Sequence, residues 1–356
     1  MERRRQSMGR AAVGACVGIC LMAAGCAPHL QPIFDETGPV LCWPPEPEAA
    51  RIRYVGMLRS AEDLKPGRSA LARLGDLFAG PPEPRPLYGP RSVVRTRDGS
   101  ALWVADPGGR CVHVLNLVDR SYRKITRAGG DPLLSPVDVC LGPADHIFVC
   151  DSEGVAIHEF AAKHAAYVRT LRLGEDFGRP AAIAYSTAAE RLFVVDVAKH
   201  DIKVLGPDDR LTRIIGRRGR APGAFNFPCD VVIDGDDLWV ADTGNQRIQR
   251  LALDGTPVSA FGSAGDAPGD LAMPKSIALD ADGHVYVVDA RFENVQIFDR
   301  EGRLLLVFGD EGTGPGEFWL PGGIFIDGEN GVWVCDSYNA RVQGFVYTTG
   351  IEGLRD

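Results

Sequence analysis

The amino-acid sequence predicts an all-β fold, a six-bladed β-propeller of four-stranded antiparallel blades, with the last blade closed by an N-terminal strand. Three observations carry that expectation. A strand ending in Val-x-Asp recurs six times, at Asp106, Asp151, Asp196, Asp242, Asp289 and Asp336, in steps of 45, 45, 46, 47 and 47 residues. A proline precedes each of these by 14 to 16 residues: Pro90, Pro136, Pro180, Pro228, Pro274 and Pro321. Between the markers, short β-branched and aromatic runs alternate with Asp-Gly and Glu-Gly turns, the pattern of antiparallel hairpins, and no 3.6-residue period persists across the repeats. A repeat of this length with four strands has the size of a propeller blade, and blades packed radially bury both faces of each small sheet.

The fifth unit shows the elements best. Lys275-Ser276-Ile277-Ala278-Leu279-Asp280 is followed by the turn Ala281-Asp282-Gly283, a Val-x-Asp strand to Asp289, the strand Asn294–Phe298, a turn at Asp299–Gly302 and the strand from Arg303 to Gly309. The sixth unit runs out after three such strands. Arg51-Ile52-Arg53-Tyr54-Val55-Gly56 reads like the ending Leu304–Gly309, so residues 51–57 are expected to supply the missing fourth strand. Ring closure of this kind removes open sheet edges that would otherwise invite aggregation. The propeller is thus expected over 51–356, with a short amphipathic helical insertion at about 66–80, where Leu71, Leu74, Leu77 and Phe78 share a face.

The connector Gly216, Gly219, Pro222-Gly223, Phe227-Pro228, together with Asp242-Thr243-Gly244-Asn245 and Arg247-Ile248-Gln249, resembles the NHL repeat. The fifth unit keeps the connector with Gly262, Gly265, Pro268-Gly269 and Pro274. The sixth keeps it with Gly309, Gly312, Pro315-Gly316 and Pro321, then Asp336, Asn339 and Arg341-Val342-Gln343. The first three units match in spacing and strand pattern, but place Gly109, Gly154 and Lys199 where later units hold Asn or an equivalent turn residue. The resemblance implies a six-bladed NHL-repeat propeller from Pro90 to about Tyr347.

Before the propeller, Arg3, Arg4, Arg5 and Arg10 precede fourteen small and apolar residues, Ala11 to Ala24, too few for a spanning helix. Met22-Ala23-Ala24-Gly25-Cys26 resembles the lipobox of bacterial lipoproteins. Residues 1–25 are therefore expected to be a lipoprotein signal peptide and Cys26 the acylated residue, with 26–50 a Pro-rich tether. Several acyl chains on one residue give stable membrane attachment. Ala27, rather than Asp, after Cys26 points to the outer membrane, the protein facing the periplasm or the surface. Removing the signal takes the formal charge from −8 to −11. That charge argues against a nucleic-acid partner, which would call for a clustered cationic excess. Six cysteines remain after Cys26 with no C-x-x-C pair, so zinc-ribbon, thioredoxin-like and c-type haem readings lack their motif; they are expected as small core residues rather than a disulfide framework.

The six Val-x-Asp carboxylates, with Asn245 and Asn339, are expected to bind local backbone N–H groups and hold turns. Aromatic residues three positions before each Asp are expected to pack the blades. The positions two after each proline should line the central channel: Ser92, Asp138, Ala182, Asp230, Ser276 and Gly323. None is histidine, so the convergent imidazoles of a catalytic zinc site are missing. Ser92, Asp138, Asp230 and Ser276 form a sparse oxygen set for calcium. Arg213, Arg217, Arg218 and Arg220 form a basic cluster, expected as a solvated loop. The function expected is an envelope-tethered interaction platform for a protein partner, without a cofactor, binding through connectors 216–227, 262–273 and 309–320. The alternative is a metal-dependent lactonase or lyase with its site in the channel.

Overall fold

Six antiparallel blades, five of four strands and one of five, follow one another along the chain and stand around a common axis, and a computed structural model describes residues 32–34, 40–64 and 85–348. Blade 1 comprises Ser92–Arg95, Ala101–Asp106, Cys111–Asn116 and Tyr122–Ile125. Blade 2 comprises Pro136–Leu141, His146–Asp151, Ala156–Ala161 and Ala166–Arg172. Blade 3 comprises Pro180–Ser186, Arg191–Asp196, Asp201–Leu205 and Leu211–Ile215. Blade 4 holds Asp230–Asp234, Asp237–Asp242, Arg247–Ala252 and Pro257–Phe261, and blade 5 holds Pro274–Leu279, Val285–Asp289, Asn294–Phe298 and Leu304–Phe308. In blade 6 the strands Ile324–Ile326, Gly331–Asp336 and Arg341–Tyr347 are joined by Ile52–Leu58. Each innermost strand packs on the next, and that of blade 6 packs on blade 1, so the ring is closed.

Burial explains why the second strand of each blade is so apolar. Neighbouring blades cover both of its faces, and every residue of Ala101–Asp106 is buried. The aromatic residue three before each Asp fills the space between blades: Trp103, Phe148, Phe193, Trp239 and Tyr286 are at most 3% exposed, and Trp333 is 6% exposed. Each such ring removes a large apolar area from water. The outermost strands face solvent, and Ala166–Arg172 is mostly exposed.

The closing strand pairs antiparallel with Arg341–Tyr347, Ile52 opposite Tyr347 and Leu58 opposite Val342. The chain goes one strand further. Cys42 and Trp43, expected in the tether, pair with Arg53 and Ile52 as a fifth strand of blade 6. The Trp43 ring lies 5.8 Å from Phe308 and 5.9 Å from Phe345, over the junction of blades 5 and 6. Phe34 sits 6.1 Å from Trp333. Cys42 and Trp43, within the stretch read as tether, thus pack on the ring as sheet. The signal peptide, Cys26 and the insertion at 66–80 lie outside the described residues.

All innermost strands begin, and all Val-x-Asp strands end, on one face of the ring; the chain crosses between blades there, and we call it the connector face. In the last three connectors a glycine with positive φ lets a later apolar residue tuck beneath it. A Cβ on Gly216 would meet Phe225 at 2.3 Å, on Gly262 Leu271 at 2.5 Å and on Gly309 Phe318 at 2.2 Å. Phe225, Leu271 and Phe318 are fully buried. No helix among the described residues is long and apolar enough to cross a membrane. The six described cysteines are free, with Cys111, Cys150 and Cys335 buried in the core. Burial pushes the Cys111 thiol up to about 12 and that of Cys150 well above its usual value.

Candidate functional site

The six Val-x-Asp carboxylates are clasps between a turn and the connector that precedes its blade. Asp151 accepts N–H groups from Leu134 and Ser135, both at 2.8 Å, and from Gly154 at 3.1 Å. Asp196 accepts from Gly178 and Arg179, and Asp289 from Ala272 and Met273. Asp242 and Asp336 use Asn226 and Trp319 N–H together with the Asn245 and Asn339 side chains. Burial pushes the Asp106, Asp151 and Asp196 carboxyls up; donors such as His113, Tyr88 and Gly109 at Asp106, the backbone N–H groups at Asp151, and Gly178, Arg179 and the Lys203 charge at Asp196 more than offset it, leaving all three below the ordinary range.

The seventh residue after the Asp, which sequence reasoning missed, adds a donor to four of the six clasps, while His158 Nε2 lies 3.7 Å from Asp151 and Gln296 donates to the Asp270 carbonyl instead. Those positions hold His113, His158, Lys203, Gln249, Gln296 and Gln343, each at most 5% exposed. Lys203 Nζ reaches Asp196 at 3.2 Å, Gln249 Nε2 reaches Asp242 at 3.0 Å and Gln343 Nε2 reaches Asp336 at 3.1 Å. His113 Nε2 lies 3.1 Å from Asp106 while its Nδ1 meets the Tyr122 hydroxyl at 2.9 Å. The repeat register itself carried this signal, because every occupant can donate a hydrogen bond. Among the described residues, Asp106, Cys111 and His113 form a group whose ligand atoms lie within 4.8 Å of one another. They occupy the places of Asp336, Arg341 and Gln343 in blade 6, so the group is this blade's version of a shared clasp.

The six channel positions named from sequence line one cavity of about 230 Å³ on the axis. Four of them serve as inter-blade latches. Ser92 Oγ accepts from Val139 N–H at 3.3 Å and Asp138 from Ile183 N–H at 2.7 Å. Asp230 accepts from the Ser276 hydroxyl at 2.6 Å and Ile277 N–H at 2.9 Å, and Ser276 Oγ in turn accepts from Ile324 N–H at 3.1 Å. Ala182 cannot reach blade 4, where Val231 N–H is met by Asp230 itself. At Gly323 a Cβ would lie 2.4 Å from the Arg91 carbonyl oxygen, so blade 6 meets blade 1 through bare backbone. Burial raises both channel carboxyls, Asp138 to about 7 with help from the Asp230 charge, and Asp230 to about 6.

Where the channel opens on the connector face, a cavity of about 460 Å³ is lined by Arg91, Arg179, Lys275, Ser152, Cys229 and Phe227, among others, and by no carboxylate. Arg91 and Lys275 also line the channel below. Of the basic cluster, Arg217, Arg218 and Arg220 are exposed on the third connector, on this face, whereas Arg213 lies in the strand Leu211–Ile215 and donates to the Asp254 carbonyl in the outer turn of blade 4.

Fold and site together define a six-bladed β-propeller whose blades are clasped by Val-x-Asp turns. Residues 225–251 match the NHL repeat, and residues 274–349 match a family described as a six-bladed β-propeller. No curated protein matches the chain by sequence. Among solved structures it is similar to a protein of unknown function from Bacteroides thetaiotaomicron, at 17% identity and a TM-score of 0.60, covering 74% of this chain and 70% of that one. An auxiliary nutrient binding protein from the same organism matches at 12% identity and a TM-score of 0.58, over 73% and 69% of the two chains. Virginiamycin B lyase from Staphylococcus aureus matches at 13% identity and a TM-score of 0.54, over 73% and 96%. At these identities the likeness is one of fold.

Proposed function

We propose that the protein is a binding module of the bacterial envelope, held to the membrane through acyl chains on Cys26 and engaging a protein partner with its connector face. The observation that carries this reading is the use made of the channel. Its carboxylates and hydroxyls are committed to holding neighbouring blades together, and both oxygens of Asp230 accept hydrogen bonds from protein donors. A calcium ion needs six to eight oxygens, roughly. Arg91 and Lys275 beside the same space would repel it. The residues present suit a divalent cation poorly.

The connector face, by contrast, displays side chains that the fold does not need. Trp319 and Tyr338, 48% and 65% exposed, stack 5.8 Å apart beside the blade 6 turn, and Tyr88 is 55% exposed next to blade 1. Exposed aromatic residues of this kind dominate protein recognition surfaces. A photocrosslinking residue placed at Tyr338 should capture the partner in intact cells, while the same residue at Arg210, on the opposite face, should not. Capture from both faces equally, or from neither, would contradict the assignment. Cys26→Ser should leave the protein uncleaved or untethered, read by membrane fractionation; normal anchoring of that variant would contradict the lipid attachment.

The competing reading is a metal-dependent enzyme of the lactonase or lyase type acting in the channel. Two raised carboxyls and the fold likeness to a lyase favour it. Stoichiometric metal in the purified protein separates the two.

A further inference from the structure

We infer that the cavity at the channel mouth is a binding site for a small organic anion, a carboxylate or phosphate attached to an apolar body, held by Arg91, Arg179 and Lys275. The inference deepens the binding-module reading and rests on it. Many buried or half-buried cations of the ring are paired: Arg95 with Asp327 and Glu329, Arg247 with Asp242, Arg250 with Asp237, Lys203 with Asp196 and Asp201, and Arg341 with Asp336. The larger cavity of about 560 Å³ between blades 1 and 2 has its arginines tied as well, Arg97 to the Gly142 carbonyl and Arg123 to that of His164. Among the described residues, the side chains of Arg91, Arg179 and Lys275 make no hydrogen bond and no ion pair. These three cations stand around one concavity with no carboxylate in its lining, Arg91 being also attracted by the Asp230 carboxyl in the channel below, and in a chain of net charge −8 they form a local positive potential that an anion would fill.

Their placement in the repeat explains how they converge. Arg91 and Lys275 each follow a strand-opening proline, and Arg179 immediately precedes one, so all three stand at the starts of innermost strands where the blades crowd toward the axis. The corresponding positions of other blades hold Val137, Ala181, Gly322 and Ser135, so nothing in blade architecture requires a cation there. Arginine offers a planar fork that matches carboxylate and phosphate oxygens, and lysine adds a point charge.

An apolar wall completes the site. Phe227, 49% exposed, turns its ring to this cavity with φ of +49°, a backbone conformation that bulky side chains rarely adopt. Its N–H donates to His200 Nδ1 at 2.9 Å, and the His200 ring lies 4.4 Å from its own. A ring held in place by a neighbouring blade beside three cations fits an anion that carries a flat or aliphatic body. The volume lies within the usual range for small-molecule pockets.

Calorimetric titration of the full chain with inorganic phosphate and with phenyl phosphate tests the inference. Phenyl phosphate is expected to bind saturably, about tenfold more tightly than inorganic phosphate, and more weakly as salt is raised. Arg179→Gln and Lys275→Gln should each weaken both probes by about tenfold without lowering Tm. Phe227→Gly, which also relieves the φ, should abolish the preference for phenyl phosphate and leave inorganic phosphate binding unchanged. No saturable heat up to about 10 mM phenyl phosphate, or affinities that the cation variants leave unaltered, would overturn it. Failure here alongside Tyr338 crosslinking would remove the anion site and keep the partner surface; binding here without crosslinking would make the protein a small-ligand module instead.

Discussion

Asp138 and Asp230 give the protein a pH dependence of defined sign. Their carboxyls titrate at about 4 in an unfolded chain and are raised to about 7 and about 6 in the channel by burial and, for Asp138, the Asp230 charge, so the folded state holds protons that the unfolded chain releases. The stability this contributes is fully present below about pH 4 and is lost as pH rises through about 6 to 7. The depressed carboxyls Asp106, Asp151 and Asp196 act in the opposite sense, but only at acid pH: their contribution persists above pH 4 and is lost as pH falls through their folded values. Asp138→Asn keeps an acceptor for Ile183 N–H and removes the titration. Its Tm should therefore fall less between pH 5 and pH 8 than that of the parent, by a few degrees in calorimetry; equal slopes would contradict the account. His113 offers a second residue-scale test. His113→Gln installs the residue that blades 4, 5 and 6 use at the same place and should change stability little, whereas His113→Leu leaves Asp106 without that donor and should cost about 1–3 kcal/mol in denaturant unfolding. The clasp aspartates were legible in the sequence because they repeat in identity. Their donors were not, because His, Lys and Gln share a function without sharing a name.

At the scale of elements, the closing strand could be read from the missing fourth strand of the last unit. The extra strand at Cys42–Trp43 could not, because a two-residue strand among prolines has no alternation to detect, and its order comes from Trp43 packing on Phe308 and Phe345. A tether over 26–50 implies that a chain starting at Arg51 keeps its fold. Loss of Trp43 and Phe34 contacts now predicts a lower Tm for that truncation than for one starting at Pro32, with Trp43→Ala accounting for about 1–3 kcal/mol as a partly buried large-to-small change. Deleting residues 51–57 should be more damaging still, since it removes the partner of Arg341–Tyr347 and uncovers the core around Phe345. Denaturation midpoints of the three variants in that order check the closure; equal midpoints for the Arg51 truncation and the 51–57 deletion would refute it.

For the whole molecule, period and turn chemistry specified the ring because a blade cannot bury its faces alone and the repeat length admits few other solutions. The site was less legible. Sequence placed Ser92, Asp138, Asp230 and Ser276 around the axis, but not their engagement with the next blade's backbone, which depends on how closely innermost strands approach. The three cations at the channel mouth occupy two different positions relative to their prolines, so no single column of the repeat exposes them. In the proposed function the channel holds the ring together and the connector face carries recognition. Metal content of the purified protein, by mass spectrometry after exchange into metal-free buffer and readdition of calcium or zinc, tests it most directly. The account predicts well below one equivalent of either metal, unchanged in Asp138→Asn and Asp230→Asn; one equivalent, lost in either variant, would contradict it and favour catalysis in the channel.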